Sequence, residues 1–159
     1  MASMNYQLEL CLRILEEHFG EIVKDVARQL FNVTQCTLSM LIKILKNKYS
    51  SKDIKYSLLI LVQHDCININ NNNKGDPNNT DPMKHSVIQH IVEYIYSINI
   101  LNIINRVRYP QLLLTIKELY SDIGVCVMEH VIEHGRVNVK CIIENVSATV
   151  YKNSHVETD

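Results

Sequence analysis

Five lysines crowd into one short stretch: Lys43, Lys46, Lys48, Lys52 and Lys55 share it with a single acid, Asp53. Ammonium groups at that density suit phosphate oxygens, which they meet as point charges without regard to base sequence. No arginine accompanies them between positions 43 and 55. The forked guanidinium that reads guanine is therefore missing, and base-specific recognition is not expected. Tyr56 and Gln63 would share the outer face of the same helix. The other readings of this patch are a plain solvated surface and a contact with a protein partner.

A second constellation is Cys126, His130 and His134, spaced four apart and so on one helical face. Soft sulfur and two imidazoles could hold zinc. The string "HVIEH" is not the metalloprotease H-E-x-x-H, because its glutamate lies beside the wrong histidine. Ile123, Val127 and Val131 run alongside, so Cys126 also reads as a core residue. The expectation is no metal and no cofactor, with this face as the one candidate. No catalytic constellation is legible. The four glycines are isolated, no Ser or Cys sits in a nucleophile motif, and Glu16–Glu17 fall on a polar helix face.

The elements that must carry these residues follow from apolar spacing. Leu8, Cys11, Leu12, Leu15, Phe19, Ile22, Val26 and Leu30 recur at helical steps and predict one amphipathic helix with Glu9, Glu16, Glu17 and Glu21 outside. After a polar turn, "NVTQCT", Leu38, Leu41, Ile42 and Leu45 predict a short second helix. Ser50 and Asp53 have the spacing of a capping box opening a third. Its inner face is Ile54, Leu58, Leu61 and Val62, and it should end near His64. "CINI" and "VIQHIVEYIY" then alternate as strands, which makes a helix-turn-helix with a wing. Between them lies an asparagine-rich insertion, about residues 68–84. Seven of the thirteen residues from Asn68 to Thr80 are Asn. The loop from about Asn70 to Met83 should be mobile and dispensable, since closure entropy grows only slowly with length.

Further on, Ile98, Leu101, Ile104 and Val107 predict a helical face, and Tyr109–Pro110 a break. Leu112, Ile116, Leu119, Ile123, Val127 and Val131 predict a long helix stopped at Gly135. Gly124 would loosen its middle. Asn138 can cap a last helix with Val139, Ile142, Ile143 and Val146 inward. The fold class expected is mainly α with a small β wing. Residues 1–96 would form a winged helix, and residues 97–159 a helical connector with the start of a second winged-helix unit.

Composition narrows the function classes. Net charge is −1 over 159 residues, so no global field draws the chain to nucleic acid, and any contact must be local. "SLLILV" and similar runs are far shorter than the ~20 residues that cross a bilayer. The opening "MASMNYQLEL" has no secretory pattern. Five cysteines without C-x-x-C spacing argue for a reduced, intracellular setting, in which the N-x-S/T triplets at Asn32, Asn78 and Asn145 are coincidences.

Three blocks carry a family resemblance: "EEHFGEIVKDV", "LVQHDCI" and "RYPQLLLTIKELYSDIGVCVMEHVIEHGRV". In that order they resemble the N-terminal part of the large winged-helix subunit of the RNA polymerase III initiation heterotrimer. They span most of residues 8–137. The asparagine insertion and the early end of the second unit depart from the family pattern. The resemblance implies a nuclear, non-catalytic polymerase subunit. It would dock on the clamp of the largest subunit, bind the two smaller heterotrimer subunits and support promoter opening. DNA contact would be weak and non-specific. The rival readings are a free-standing winged-helix regulator and, further off, a small metal-dependent enzyme on the His130–His134 face.

Overall fold

The structure, a computed structural model, describes residues 2–33, 36–71 and 94–156. Where one first helix was expected, there are two: α1, Ala2–Phe19, and α2, Glu21–Asn32. Gly20 separates them with φ +88°, a backbone conformation that only glycine adopts without strain. Its N–H still donates to the Glu16 carbonyl at 2.9 Å, and its own carbonyl accepts from Lys24 at 3.2 Å. Both helices turn an apolar side toward the same core, but after the break Val23 is buried where Ile22 was expected, and Ile22 is only half-buried. Leu12 and Leu15 are buried on α1, as are Val23, Val26 and Leu30 on α2.

The polar turn hides a strand. Cys36–Thr37 form β1, and the Thr37 hydroxyl then accepts from the Met40 N–H at 3.4 Å to cap α3, Leu38–Leu45. Two residues are too few for any periodicity to announce them. The capping residue Ser50 opens α4, Ser51–Gln63, its Oγ accepting from the Asp53 N–H at 3.2 Å and donating to Asp53 Oδ2 at 2.7 Å. Ile54, Leu58 and Leu61 are buried, as expected of that helix's inner face.

β2, Ile67–Asn71, and β3, Tyr94–Ile98, form the wing, and β3 also pairs with β1. The three-stranded sheet is antiparallel in the order β1-β3-β2, with Ile67 opposite Ile98 and Cys36 opposite Tyr96. The expected second wing strand is described only from Tyr94 onward. Most of the 68–84 insertion and of the Asn70–Met83 loop lies outside the described residues. Helices and sheet enclose one core, which includes Leu15, Leu30, Leu41, Ile54, Leu61 and the thiol-bearing Cys11, Cys36 and Cys66.

The chain then enters α5, Ile100–Asn105, capped by Asn99 Oδ1 accepting from the Asn102 N–H at 3.2 Å, and a 3-10 turn, Arg106–Arg108. Here the expected face was rotated. Ile103 and Arg106 are buried, whereas Leu101 and Val107 are exposed. A stripe that starts at Ile98 begins in β3, so it is out of phase with the helix that follows.

Tyr109–Pro110 begins α6, Tyr109–His134, rather than breaking a path; proline is well tolerated in a helix's first turn. The interruption inside α6 falls at Ser121, φ +62°, three residues before the glycine expected to loosen it. Gly124 is held closely by its own helix: a Cβ there would lie 2.5 Å from Tyr120 Cβ. Gly135 ends α6, and Asn138 caps α7, Val139–Val156, through Lys140 N–H to Asn138 Oδ1 at 3.0 Å. On α7 only part of the expected face turns inward. Val146 is buried and Ile142 half-buried, but Val139 and Ile143 are exposed.

Candidate nucleic-acid and partner interface

The outer face of α4 is open. Lys52, Lys55, Tyr56 and Leu59 line a shallow groove of about 290 Å³, with Lys52 Nζ 5.8 Å from the centre of the Tyr56 ring. Tyr56 and Leu59 are each 55% exposed, so this basic surface also carries apolar area. In a helix-turn-helix fold α4 follows the turn and is the element offered to a groove or a partner. Lys43 and Lys46 are exposed at the end of α3, next to an exposed Ile44.

Lys48 does not join them. Its ammonium donates to Asp25 Oδ2 at 2.5 Å and to Glu21 Oε1 at 3.2 Å, and the Tyr49 hydroxyl donates to the same Asp25 oxygen at 2.9 Å. Burial pushes the Asp25 carboxyl up, but the bonds from Lys48 and Tyr49 outweigh it and hold the group below the usual carboxylate range. The same contacts raise the Lys48 ammonium above its usual value. This lysine ties the α3–α4 turn to α2. Gln63 also leaves the outer face: its Nε2 donates to the His134 carbonyl at 3.1 Å and the Arg136 carbonyl at 3.0 Å. α4 turns far enough by its last residue to point Gln63 at the α6–α7 corner.

The metal candidate is not assembled. Among the described residues no three His, Cys, Asp or Glu side chains converge as a metal requires. Cys126 and His130 border one pocket on the α7 side, but His134 stacks on His130, ring centres 4.2 Å apart. Its Nδ1 lies 3.0 Å from the His130 carbonyl, so it is occupied by the helix backbone.

A junction that spacing alone did not disclose lies where α4 ends. The Cys66 N–H donates to the Leu61 carbonyl at 2.9 Å and the Asp65 N–H to the Val62 carbonyl at 3.1 Å, a Schellman stop with Asp65 at the left-handed position, φ +57°. Glycine or asparagine would adopt that conformation more readily. Aspartate brings a carboxylate that accepts from Asn102 Nδ2 at 2.8 Å and pairs with Arg136. Arg136 in turn donates its N–H to the Gln63 carbonyl at 3.0 Å. Gly135 makes this approach feasible. A Cβ there would sit 2.4 Å from the Gln63 oxygen, and φ is +72°. The only advance signal was that "QHDC" and "HGRV" both lie in blocks of the family resemblance.

The junction encloses His64. Burial and the neighbouring Arg106, His134 and His18 push its imidazole down to about 4, so it is neutral near pH 7. Phe19 packs on it with ring centres 4.6 Å apart. Burial likewise pushes the Cys66 thiol up to about 11, which leaves it an unreactive core group.

A helix-turn-helix followed by a two-stranded wing, whose second strand β3 also pairs with β1, defines the protein's class: a winged helix. Residues 9–69 match the family model of the RNA polymerase III subunit RPC82 helix-turn-helix domain. Over 147 residues, 92% of this chain, it is 27% identical to the DNA-directed RNA polymerase III subunit RPC3 of Danio rerio, covering 24% of that protein. It is similarly 27% identical over 142 residues to the RPC3 subunit of Homo sapiens, and 25% identical over 151 residues to that of Dictyostelium discoideum. The chain is thus similar to RPC3 subunits of RNA polymerase III along most of its own length. It spans about a quarter of the length of these relatives.

Proposed function

We propose that this chain is the N-terminal winged-helix module of a non-catalytic, nuclear subunit of RNA polymerase III. Its role is to dock on the polymerase clamp and the two smaller heterotrimer subunits and to support promoter opening. The supporting observation is similarity to RPC3 subunits along nearly the whole chain. The open basic–apolar face of α4, with Lys52, Lys55, Tyr56 and Leu59, is the docking surface we assign. Lys43 and Lys46 extend it, whereas Lys48 acts in folding. We divide the chain into a winged helix, residues 1–96, and a helical unit, residues 97–159, whose α5 reaches back into the first core through Ile103.

Any DNA contact runs through the same lysines. Without arginine forks it should be sequence-blind, in the non-specific range of roughly 10⁻⁴ to 10⁻⁶ M, and steeply salt-dependent. Tethering on the polymerase raises the local DNA concentration and makes such weakness tolerable. The deciding experiment is immunopurification of the full-length protein from nuclear extract, followed by mass spectrometry. Stoichiometric recovery of RNA polymerase III subunits is expected. Their absence, together with tight sequence-selective DNA binding by a dimer, would replace this reading with a free-standing regulator.

A further inference from the structure

Among the described residues Arg106 is a cation with no anion. It is 4% exposed, and among the described residues no carboxylate pairs with it and its Nε finds no hydrogen-bond partner. Its guanidinium is packed 4.7 Å from the centre of the Phe19 ring and 5.1 Å from that of Tyr109. Aromatic faces offset part of the desolvation of a buried charge, but the enclosed Nε–H still loses the bond it would make to water. Arg106 borders a cavity of about 260 Å³ at the junction of α4 with the α6–α7 corner. Tyr109, Met128, Val131 and Ile132 form its apolar wall. The one carboxylate on its border, Asp65, is already committed to Arg136 and Asn102. Two cations, Arg106 and Arg136, line the cavity against that single carboxylate, and His64 is held neutral there.

We propose that this cavity receives a carboxylate side chain, Asp or Glu, from a protein partner, with Arg106 as its charged anchor and the Tyr109–Met128–Val131 wall holding the adjoining apolar residue. A carboxylate matches a planar guanidinium with two parallel bonds. A phosphate group would bring more charge and more acceptors than one guanidinium against an apolar wall can satisfy. The volume suits a side chain displacing a few waters at about 30 Å³ each. The proposal deepens the docking reading above, but it uses a different surface from the α4 face and does not depend on which partner is bound there.

The test uses the 159-residue chain, ¹⁵N-labelled and with ¹³C-methyl methionine, at constant ionic strength and pH 7. The probes are N-acetyl-Asp-Leu-amide, its Asn counterpart and inorganic phosphate. Saturable shifts of the Arg106 Nε–Hε signal and the Met128 methyl are expected with the Asp peptide, at least tenfold tighter than with the Asn peptide. Arg106→Met should weaken the Asp peptide at least tenfold. Val131→Trp, which fills the cavity and keeps the arginine, should block it as well, and it keeps the test decisive if Arg106→Met does not fold. Equal binding of the Asp and Asn peptides, or undiminished binding to Val131→Trp, overturns the proposal. Phosphate binding as tightly as the Asp peptide also overturns it, in favour of a phosphate site. A polymerase purification that fails leaves these peptide titrations unaffected, so the two readings stand or fall separately.

Discussion

Two apolar stripes of similar spacing have opposite fates. Along α1 and α2 the stripe is covered: Leu12, Leu15, Val23, Val26 and Leu30 are all buried. Along α6 it is largely uncovered, with Leu119 68% and Ile123 56% exposed and none of its residues fully buried. Both stripes form helices, since helix formation answers to local spacing and propensity. Burial needs a second surface to close over the stripe. The winged helix supplies one through its sheet and α4; for α6 the described residues supply only part of α7 and the Asp65–Gly135 junction.

Core truncation should separate the two regions most sharply. Leu58→Ala or Leu61→Ala should cost about 2–5 kcal/mol, the range for buried leucines. Leu119→Ala and Tyr56→Ala, on open faces, should stay within about 0.5 kcal/mol. Chemical denaturation of the four variants measures this. A costly Leu119→Ala would mean that α6 is covered in solution.

Next in size is the link between the regions. Gly135→Ala forces a Cβ against the Gln63 carbonyl in a conformation where any side chain is strained, so a loss of about 2–3 kcal/mol is expected. Hydrogen exchange should show α6 and α7 loosened while α2 and α4 keep their protection. If exchange rises equally in both regions, the junction is not a separable latch.

A smaller effect should appear with acid. His64 in the folded protein titrates at about 4, below its ordinary 6.5, so the unfolded chain takes up its proton first. Stability from this group is therefore full above pH 6.5 and falls as pH drops toward about 4. The loss should be about 1–2 kcal/mol, after discounting for partial exposure. His64→Gln should flatten that window. The depressed Asp25 carboxyl acts lower, its contribution fading only as pH falls through its own folded value. A variant that keeps the full slope between pH 6.5 and 4 would acquit His64.

The smallest effect on stability should come from Lys52→Glu with Lys55→Glu, within about 0.5 kcal/mol, because both side chains are exposed. Binding should respond far more. Association with duplex DNA or with purified polymerase should weaken and lose much of its salt dependence. Unchanged binding at two salt concentrations would remove the α4 face from the docking surface. Lys48→Glu makes the useful contrast, since it should damage folding through Asp25.

What could be read directly from the residues was local. The Ser50–Asp53 cap, the inner face Ile54–Leu58–Leu61, the stop at Gly135 and the Asn138 cap each involve groups within a few positions of one another, and each formed as expected. The strand pattern after the third helix already implied the winged-helix class, and the family blocks added the polymerase resemblance. Errors arose where a local pattern was asked for tertiary information. The apparent stripe from Leu8 to Leu30 concealed the Gly20 break, because two helices facing one core both bury an apolar side. Lys48 read as one of five equivalent lysines until Asp25, 23 residues away, claimed it. Gln63 and Asp65 acquired their roles from Arg136, 73 and 71 residues away. Arg106 gave no signal at all, since only the meeting of α1, α4 and α6 surrounds it with Phe19, His64 and Tyr109. Periodicity reports which side of an element is apolar; the fold alone decides what comes to cover it and which charges are left without a partner.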